Sequence, residues 1–304
     1  MTRWTTRQIP DQSGKVALIT GANAGLGLGT ATELAKKGAE ILMAVRSTSK
    51  GEQARQLILK QVPQAKVSIL PLDLADLESV AALGKELRQR QQPLDLLINN
   101  AGVMFLPKRQ ESAQGHEMHW ATNHLGHFAL THELLPLLEA APAGRIVTVS
   151  SLAAKMGPAD IYYDDIHFEQ KYDYVAAYAQ SKLANAIFFS ELNERLRAAG
   201  SKVISVGAHP GYTATDLQRH MGLLGIVSNT LFAQRIDMGI LPTLRSATDL
   251  GVKGGDYFGP ANFANFRGYP KPNRLPKPAA DQQQRSKLWT LTELQTGIAF
   301  LNHG

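Results

Sequence analysis

Short, uninterrupted apolar runs recur along this chain, each followed by a helix-length interval, and no other feature limits the possible folds so tightly. The runs are "KVALIT" (15–20), "EILMAV" (40–45), "KVSILPLD" (66–73), "LDLLIN" (94–99), "GRIVTVSS" (144–151) and "KVISVGAHP" (202–210). Helical periodicity fills the intervals at 26–37, 49–62, 77–90, 113–139 and 174–198. Continuous apolar runs, unlike alternating ones, suit strands buried on both faces. Strands separated by helices of this length imply right-handed βαβ crossovers and a parallel sheet. The expectation is one doubly wound α/β domain over residues 1–304, with no internal repeat and no linker. Within it, 15–216 would form the core, and 217–304 a substrate lid, a last strand and a C-terminal helix.

Composition agrees with a packed domain. Apolar residues make up 44 % of 304 and charged residues 19 %, which is ordinary for a globular protein with a sizeable core. No stretch reaches the roughly 18 consecutive apolar residues of a transmembrane helix. The opening "MTRWTTRQIPDQSGK" has no apolar segment behind its arginines, so it does not read as a secretory signal. Cysteine is absent, which removes disulfides and thiolate chemistry and fits a cytoplasmic protein. The net charge of +6 raises the question of nucleic acid. Its densest cluster, "FRGYPKPNRLPKP" (266–278), is broken by prolines and reads as a solvated surface loop, so no nucleic-acid partner is expected.

The first apolar run leads directly into "TGANAGLGLGTATELAKKG". Glycines at the turn from strand to helix let backbone N–H groups approach a pyrophosphate, and the helix dipole favours the negative charge. The strict G-x-G-x-x-G spacing is not met, because Thr30 stands at the third glycine position; a P-loop is excluded by the missing GK[ST] ending. At the end of the second run, "MAVRS" presents Arg46 and no carboxylate. A carboxylate there would bind a ribose 2′-hydroxyl, whereas an arginine accommodates a 2′-phosphate, so NADP is expected over NAD.

Further along, Tyr178 and Lys182 lie one helical turn apart in "YAQSK". That spacing alone is common on any helix. In company with "TGANAGLG" (20–27), "LD" (72–73), "NNAG" (99–102), "TNHLGHF" (122–128), "VSS" (149–151) and "HPGYTATD" (209–216), it resembles the short-chain dehydrogenase/reductase family in its compact Rossmann-type form. The motifs arrive in the family's order, and the branch containing retinol dehydrogenases and protochlorophyllide reductases is the most similar. The resemblance implies that Tyr178 is the general acid/base, that Lys182 lowers its pKa and holds the nicotinamide ribose, and that Ser151 bonds the substrate oxygen, with Ser150 the alternative. It implies that Asn123 holds a relay water. It also assigns Thr20, Gly21, Gly25, Leu26 and Gly27 to the pyrophosphate and Asp73 and Leu74 to the adenine. Asn100, Ala101 and Gly102 would lie along the cofactor, and Pro210, Gly211, Thr213 and Thr215 would fix the carboxamide.

The interval between Ser151 and Tyr178 is longer than in the most compact members, and a substrate-side loop is the favoured reading of "GPADIYYDDIHFEQKYDY". Tyr172 and Tyr174 in it lack a lysine four residues on. His116, His119, His124, His127 and His132 could suggest a metal, but "HEMHW" misses H-E-x-x-H, and helix-face histidines are the favoured reading. Residues 221–240 form either a core helix pair or, as favoured, an apolar lid. With Tyr257, Phe258, Phe263 and Phe266 they suggest a bulky hydrophobic substrate. The leading function is an NADP-dependent alcohol/carbonyl oxidoreductase. Enone or imine reduction on the same site, and a non-catalytic nucleotide sensor, are the alternatives. The family often pairs through the helices near 113–139 and 174–198, so a homodimer or homotetramer is expected.

Overall fold

The computed structural model describes residues 3–156, 159–213, 234–262 and 264–301. Its centre is an eight-stranded sheet in the order β3-β2-β1-β4-β5-β6-β7-β8. The strands are β1 (Val16–Thr20), β2 (Glu40–Val45), β3 (Val67–Pro71), β4 (Leu96–Asn99), β5 (Arg145–Val149), β6 (Ile204–Ala208), β7 (Tyr257–Asn262) and β8 (Arg267–Pro272). All neighbours pair parallel except β7 with β8. The chain order reverses between β1 and β4, and open sheets of this kind bind ligands at the strand ends beside that switch.

Both faces are covered, as the continuous apolar runs require. Along β1, Ala17 and Ile19 enter one core with α1 (Gly25–Lys36) and α2 (Thr48–Gln61), while Val16 and Leu18 enter the other. The second core is built with α3 (Leu77–Arg90), with a helix formed from α4 (Met118–Trp120), a π turn (Ala121–Leu125) and α5 (Gly126–Ala140), and with α6 (Tyr174–Ala198). Nearly every α6 residue from Ala176 to Asn193 is buried, which is why that helix shows no polar stripe. Asp173 caps it, accepting from Val175 N and Ala176 N.

Beyond β6 come α7 (Ile236–Gly239), α8 (Leu241–Thr248), the β7–β8 hairpin, α9 (Lys277–Ala280) and α10 (Gln282–Thr296). Trp289 of α10 packs on Phe128 (ring centroids 5.0 Å apart), Phe188 (6.1 Å) and Phe300 (5.1 Å). Glu191 of α6 takes both Arg195 and Arg285, tying α10 down. The chain thereby covers a face shared by α5 and α6, the helices expected to carry pairing. Among the described residues no helix is long and apolar enough to cross a membrane.

Four expectations are corrected. The proline-rich basic stretch is no loop: it supplies β8, where prolines are tolerated because one edge needs no N–H partner. The sheet is therefore not wholly parallel. The long helix begins at Met118, because residues 113–117 form a turn closed by Ser112 N to His116 O. Tyr257 and Phe258 are 2 % and 3 % exposed and belong to the core, Tyr257 stacking on Phe189, so they line no substrate cavity. The proposed lid, 221–240, lies outside the described residues up to 233; Ile236 and Ile240 beyond it pack beside Gly29 of α1.

Candidate active site

The turn after β1 is built so that only glycine fits it. Gly21 and Gly25 adopt φ of +65° and +52°, and a Cβ on Gly27 would stand 2.4 Å from Gly21 O and 2.6 Å from Asn100 Nδ2. Leu26 sits in the first turn of α1, its side chain near Gly239. Asn100 Nδ2 donates to Thr20 O (2.8 Å), while Asn100 N and Ala101 N both donate to Thr20 Oγ1 (2.9 Å each). Thr20 thus clips the end of β1 to the end of β4 across the switch.

One more contact on Thr20 leads to the catalytic side. Its hydroxyl lies 2.9 Å from His127 Nε2, and His127 Nδ1 lies 2.9 Å from Asn123 O. Asn123 O only accepts, so Nδ1 carries the imidazole proton. Nε2 then accepts from the Thr20 hydroxyl, whose lone pairs are engaged by the two backbone donors. Burial, the largest cause, pushes His127 down to about 4, and the nearby Lys182 charge adds to it. This neutral histidine joins the end of β1 to the Asn123 backbone. Its position within "TNHLGHF", four residues after Asn123, is the sequence signal for it.

Asn123 sits in the π turn, a helix irregularity frequent at functional sites. Its side chain holds both backbone groups of Val103, accepting from Val103 N (2.8 Å) and donating to Val103 O (3.1 Å), and Nδ2 also meets Ser181 Oγ (2.9 Å). Tyr178 and Lys182 follow on α6, both buried. Ser151 Oγ accepts from Ala153 N, and the Ser151 side chain lies close enough to the Tyr178 phenol to oppose the effect of burial on it. Ser150 instead donates to Lys182 O (2.7 Å), a structural use that leaves Ser151 as the serine beside the tyrosine.

Electrostatics differ from expectation in one respect. Burial, the largest cause, holds the Tyr178 phenol above its ordinary range, and Ser151 opposes it. Lys182 itself is pushed down to about 8 by burial. A buried ammonium has three donors, yet among the described residues Nζ donates only to Val149 O (3.2 Å). A Cβ on Gly102 would come within 3.3 Å of that Nζ and 3.0 Å of Asn123 Oδ1, so the glycine keeps the space beside the ammonium clear. These are the features a bound nicotinamide ribose would use, and the residues present fit such a cofactor.

The remaining assigned residues line the same strand ends. Asp73 Oδ1 accepts from Ala75 N, and Leu74 O packs so closely on Gly126 that a Cβ there would stand 2.2 Å away. Gly211 has φ +68°, and a Cβ on it would meet Phe266 O at 2.3 Å. Thr213 Oγ1 donates to Pro210 O (2.9 Å). Thr215 and Phe263 lie outside the described residues. Arg46 is exposed, one residue beyond β2 and just before Ser47, which caps α2. The 159–173 segment packs against the loop after β4, with Arg109 Nε donating to His167 O (2.9 Å).

Comparison with known proteins agrees with this geometry. The short chain dehydrogenase family model matches residues 15–163. Human retinol dehydrogenase 14 is 37 % identical over 307 residues, covering 94 % of this chain and 87 % of that protein. Mouse retinol dehydrogenase 11 is 43 % identical over 211 residues, covering 69 % and 65 %. A crystallised, uncharacterised protein from Mycobacterium paratuberculosis superposes with a TM-score of 0.83 at 38 % identity, covering 98 % of this chain and 99 % of its own. The chain belongs to the short-chain dehydrogenase/reductase family of oxidoreductases, in its retinol dehydrogenase-like branch.

Proposed function

We propose that the protein is an NADP-dependent oxidoreductase that interconverts an alcohol and a carbonyl on a bulky apolar substrate, with Tyr178 as the general acid/base. The observation that carries this reading is the buried Tyr178 phenol, beside Ser151 and one helical turn from the Lys182 ammonium. A bound nicotinamide would supply or accept the hydride. Ser151 and Tyr178 would orient the substrate oxygen between them. A phenol held protonated by burial is suited to donate its proton as that oxygen gains charge during reduction. In the oxidative direction, the Lys182 ammonium stabilises the phenolate that must form. Val103, pinned by Asn123, and Gly102 keep the backbone beside the ammonium in fixed position.

Arg46 supports NADP. It stands exposed beyond Val45, and among the described residues it has no ion-pair partner, so a 2′-phosphate would meet both its guanidinium and the start of α2. The apolar substrate is supported by the half-buried Phe105 against the Tyr178 ring, and relatives named retinol dehydrogenases make retinaldehyde a natural first probe. The test is a panel of aldehydes, ketones and enones, retinaldehyde included, followed at the nicotinamide absorbance with NADPH and with NADH. Tyr178→Phe should abolish turnover and keep NADPH binding; near-normal activity would refute the mechanism. Arg46→Asp should move preference toward NADH, and an unchanged ratio would refute the cofactor assignment.

A further inference from the structure

Phe105 has φ +54°, a left-handed conformation that a bulky side chain holds only when its surroundings impose it. Its ring meets Tyr178 edge-on at 5.2 Å and Tyr174 at 6.0 Å. The loop carrying it belongs to no helix or strand, yet its backbone is held on both sides of Phe105 by side chains. On one side Asn123 takes both polar groups of Val103. On the other, Leu106 N donates to His119 Nε2 (3.3 Å), and the Tyr172 hydroxyl donates to Leu106 O (3.0 Å).

His119 is anchored on Glu117, and the Tyr172 hydroxyl stands beside the same carboxylate. With Nε2 accepting from Leu106, the His119 proton sits on Nδ1 and is donated to Glu117 Oε1 (2.7 Å). Glu117 is fully buried; its other oxygen accepts from Trp120 N (2.8 Å), and the Tyr172 hydroxyl lies 3.5 Å from Oε1. Charge and proton count therefore fix the direction of each bond. The two holders, His119 and Asn123, lie four residues apart on the helix that passes through the π turn, so one element sets the loop at two points. The loop begins at Gly102 beside Lys182, on the side assigned to the cofactor, and reaches Tyr178 at Phe105.

We propose that Glu117, His119 and Tyr172 form a clamp that seats Phe105 on the catalytic tyrosine. Phe105 is then the residue that limits substrate width, and His119 and Tyr172 are positioning residues acting through it. This inference rests on the alcohol/carbonyl reading of the site. It adds the element that selects among substrates, and it draws Tyr172 and the segment after Ser151 into that selection.

The test is a ladder of aldehydes, from short linear chains to branched and ring-bearing ones, assayed with NADPH on the full chain. Phe105→Ala should raise kcat/KM for ring-bearing over linear substrates by about tenfold, the scale on which a pocket discriminates small differences in apolar bulk. Tyr172→Phe, which removes one hydroxyl, and His119→Leu should shift the same ratio in the same direction by about threefold, with NADPH affinity unchanged. His119→Gln, which keeps an acceptor near the Nε2 position, should restore the ratio. A merely structural role would lower activity on all substrates in proportion and leave the ratio alone, and that outcome overturns the clamp. If the wild type reduces none of the ladder, the reading of the site fails, and this inference fails with it.

Discussion

Acidification should destabilise this protein well above the range in which carboxylates titrate. Burial holds three histidines far below the ordinary imidazole value of 6.5: His124 to about 3, His127 to about 4 and His209 to about 3. For two of them the hydrogen bonds reinforce the effect of burial. His127 Nε2 accepts from Thr20, and His209 Nδ1 accepts from Gly211 N, so protonation would set two donors against each other. His124 Nε2 faces Thr292 Oγ1, whose own proton goes to Leu288 O, and no carboxylate is paired with the ring. The unfolded chain binds protons that the folded chain excludes. The stabilisation is thus complete above about 6.5 and drains away as pH falls toward about 4. Between about pH 7.5 and about pH 5, each such histidine accounts for about 2 kcal/mol, and the three together for about 6 kcal/mol. That is a large part of the roughly 5–15 kcal/mol that holds a typical domain folded. His116 and His167, also lowered by burial, act in the same direction. The assay is urea unfolding across this pH range, with proton uptake on unfolding measured in unbuffered solution. Near about pH 5.5 close to three protons per chain should be taken up by these groups, and His127→Gln should remove about one. A stability change under about 2 kcal/mol over the range, or uptake below about one proton, would refute the reasoning.

Lys182→Met should raise thermal stability while abolishing turnover. It removes a charge that burial opposes by about 3 kcal/mol, and Val149 O keeps its bond from Asn185 Nδ2. A melting temperature at or below wild type would count against a strained ammonium. Gly27→Ala should weaken NADPH binding by about tenfold or more with the circular dichroism spectrum preserved, since its Cβ collides with Gly21 O at 2.4 Å. Unchanged affinity in a fluorescence titration would mean that the turn does not carry the phosphates. Trp289→Ala should cost about 3–5 kcal/mol in urea unfolding. It should also promote self-association in sedimentation, by loosening the cover that α10 lays over α5 and α6; wild type should stay monomeric through that face.

The motifs were legible because each depends on neighbours close in sequence. A strand followed by Gly21, Gly25 and Gly27 needs only backbone sterics to be recognised as a tight strand-to-helix turn. Tyr178 and Lys182 need only the helical repeat to share a face. The errors arose where the partner is remote. Tyr257 and Phe258 have the composition of a substrate pocket, and only the packing of β7 against Phe189 and its neighbours makes them core. The prolines of 266–278 suggest a surface loop because sequence does not say which segment will lie at the sheet edge as a strand. His127 and His119 read as helix-face residues from sequence, since their partners Thr20 and Leu106 come from other parts of the chain.

By itself the sequence determined the doubly wound architecture, the glycine turn after β1 and the shared helix face of Tyr178 and Lys182, because periodicity and glycine sterics act over a few residues. Tertiary structure supplied a physical reason to prefer Ser151 to Ser150, since Ser150 is drawn onto Lys182 O. It also decided the electrostatic state of the site. Burial raises the phenol and lowers the ammonium together, and desolvation is a property of everything packed around a group, which no local stretch of sequence encodes.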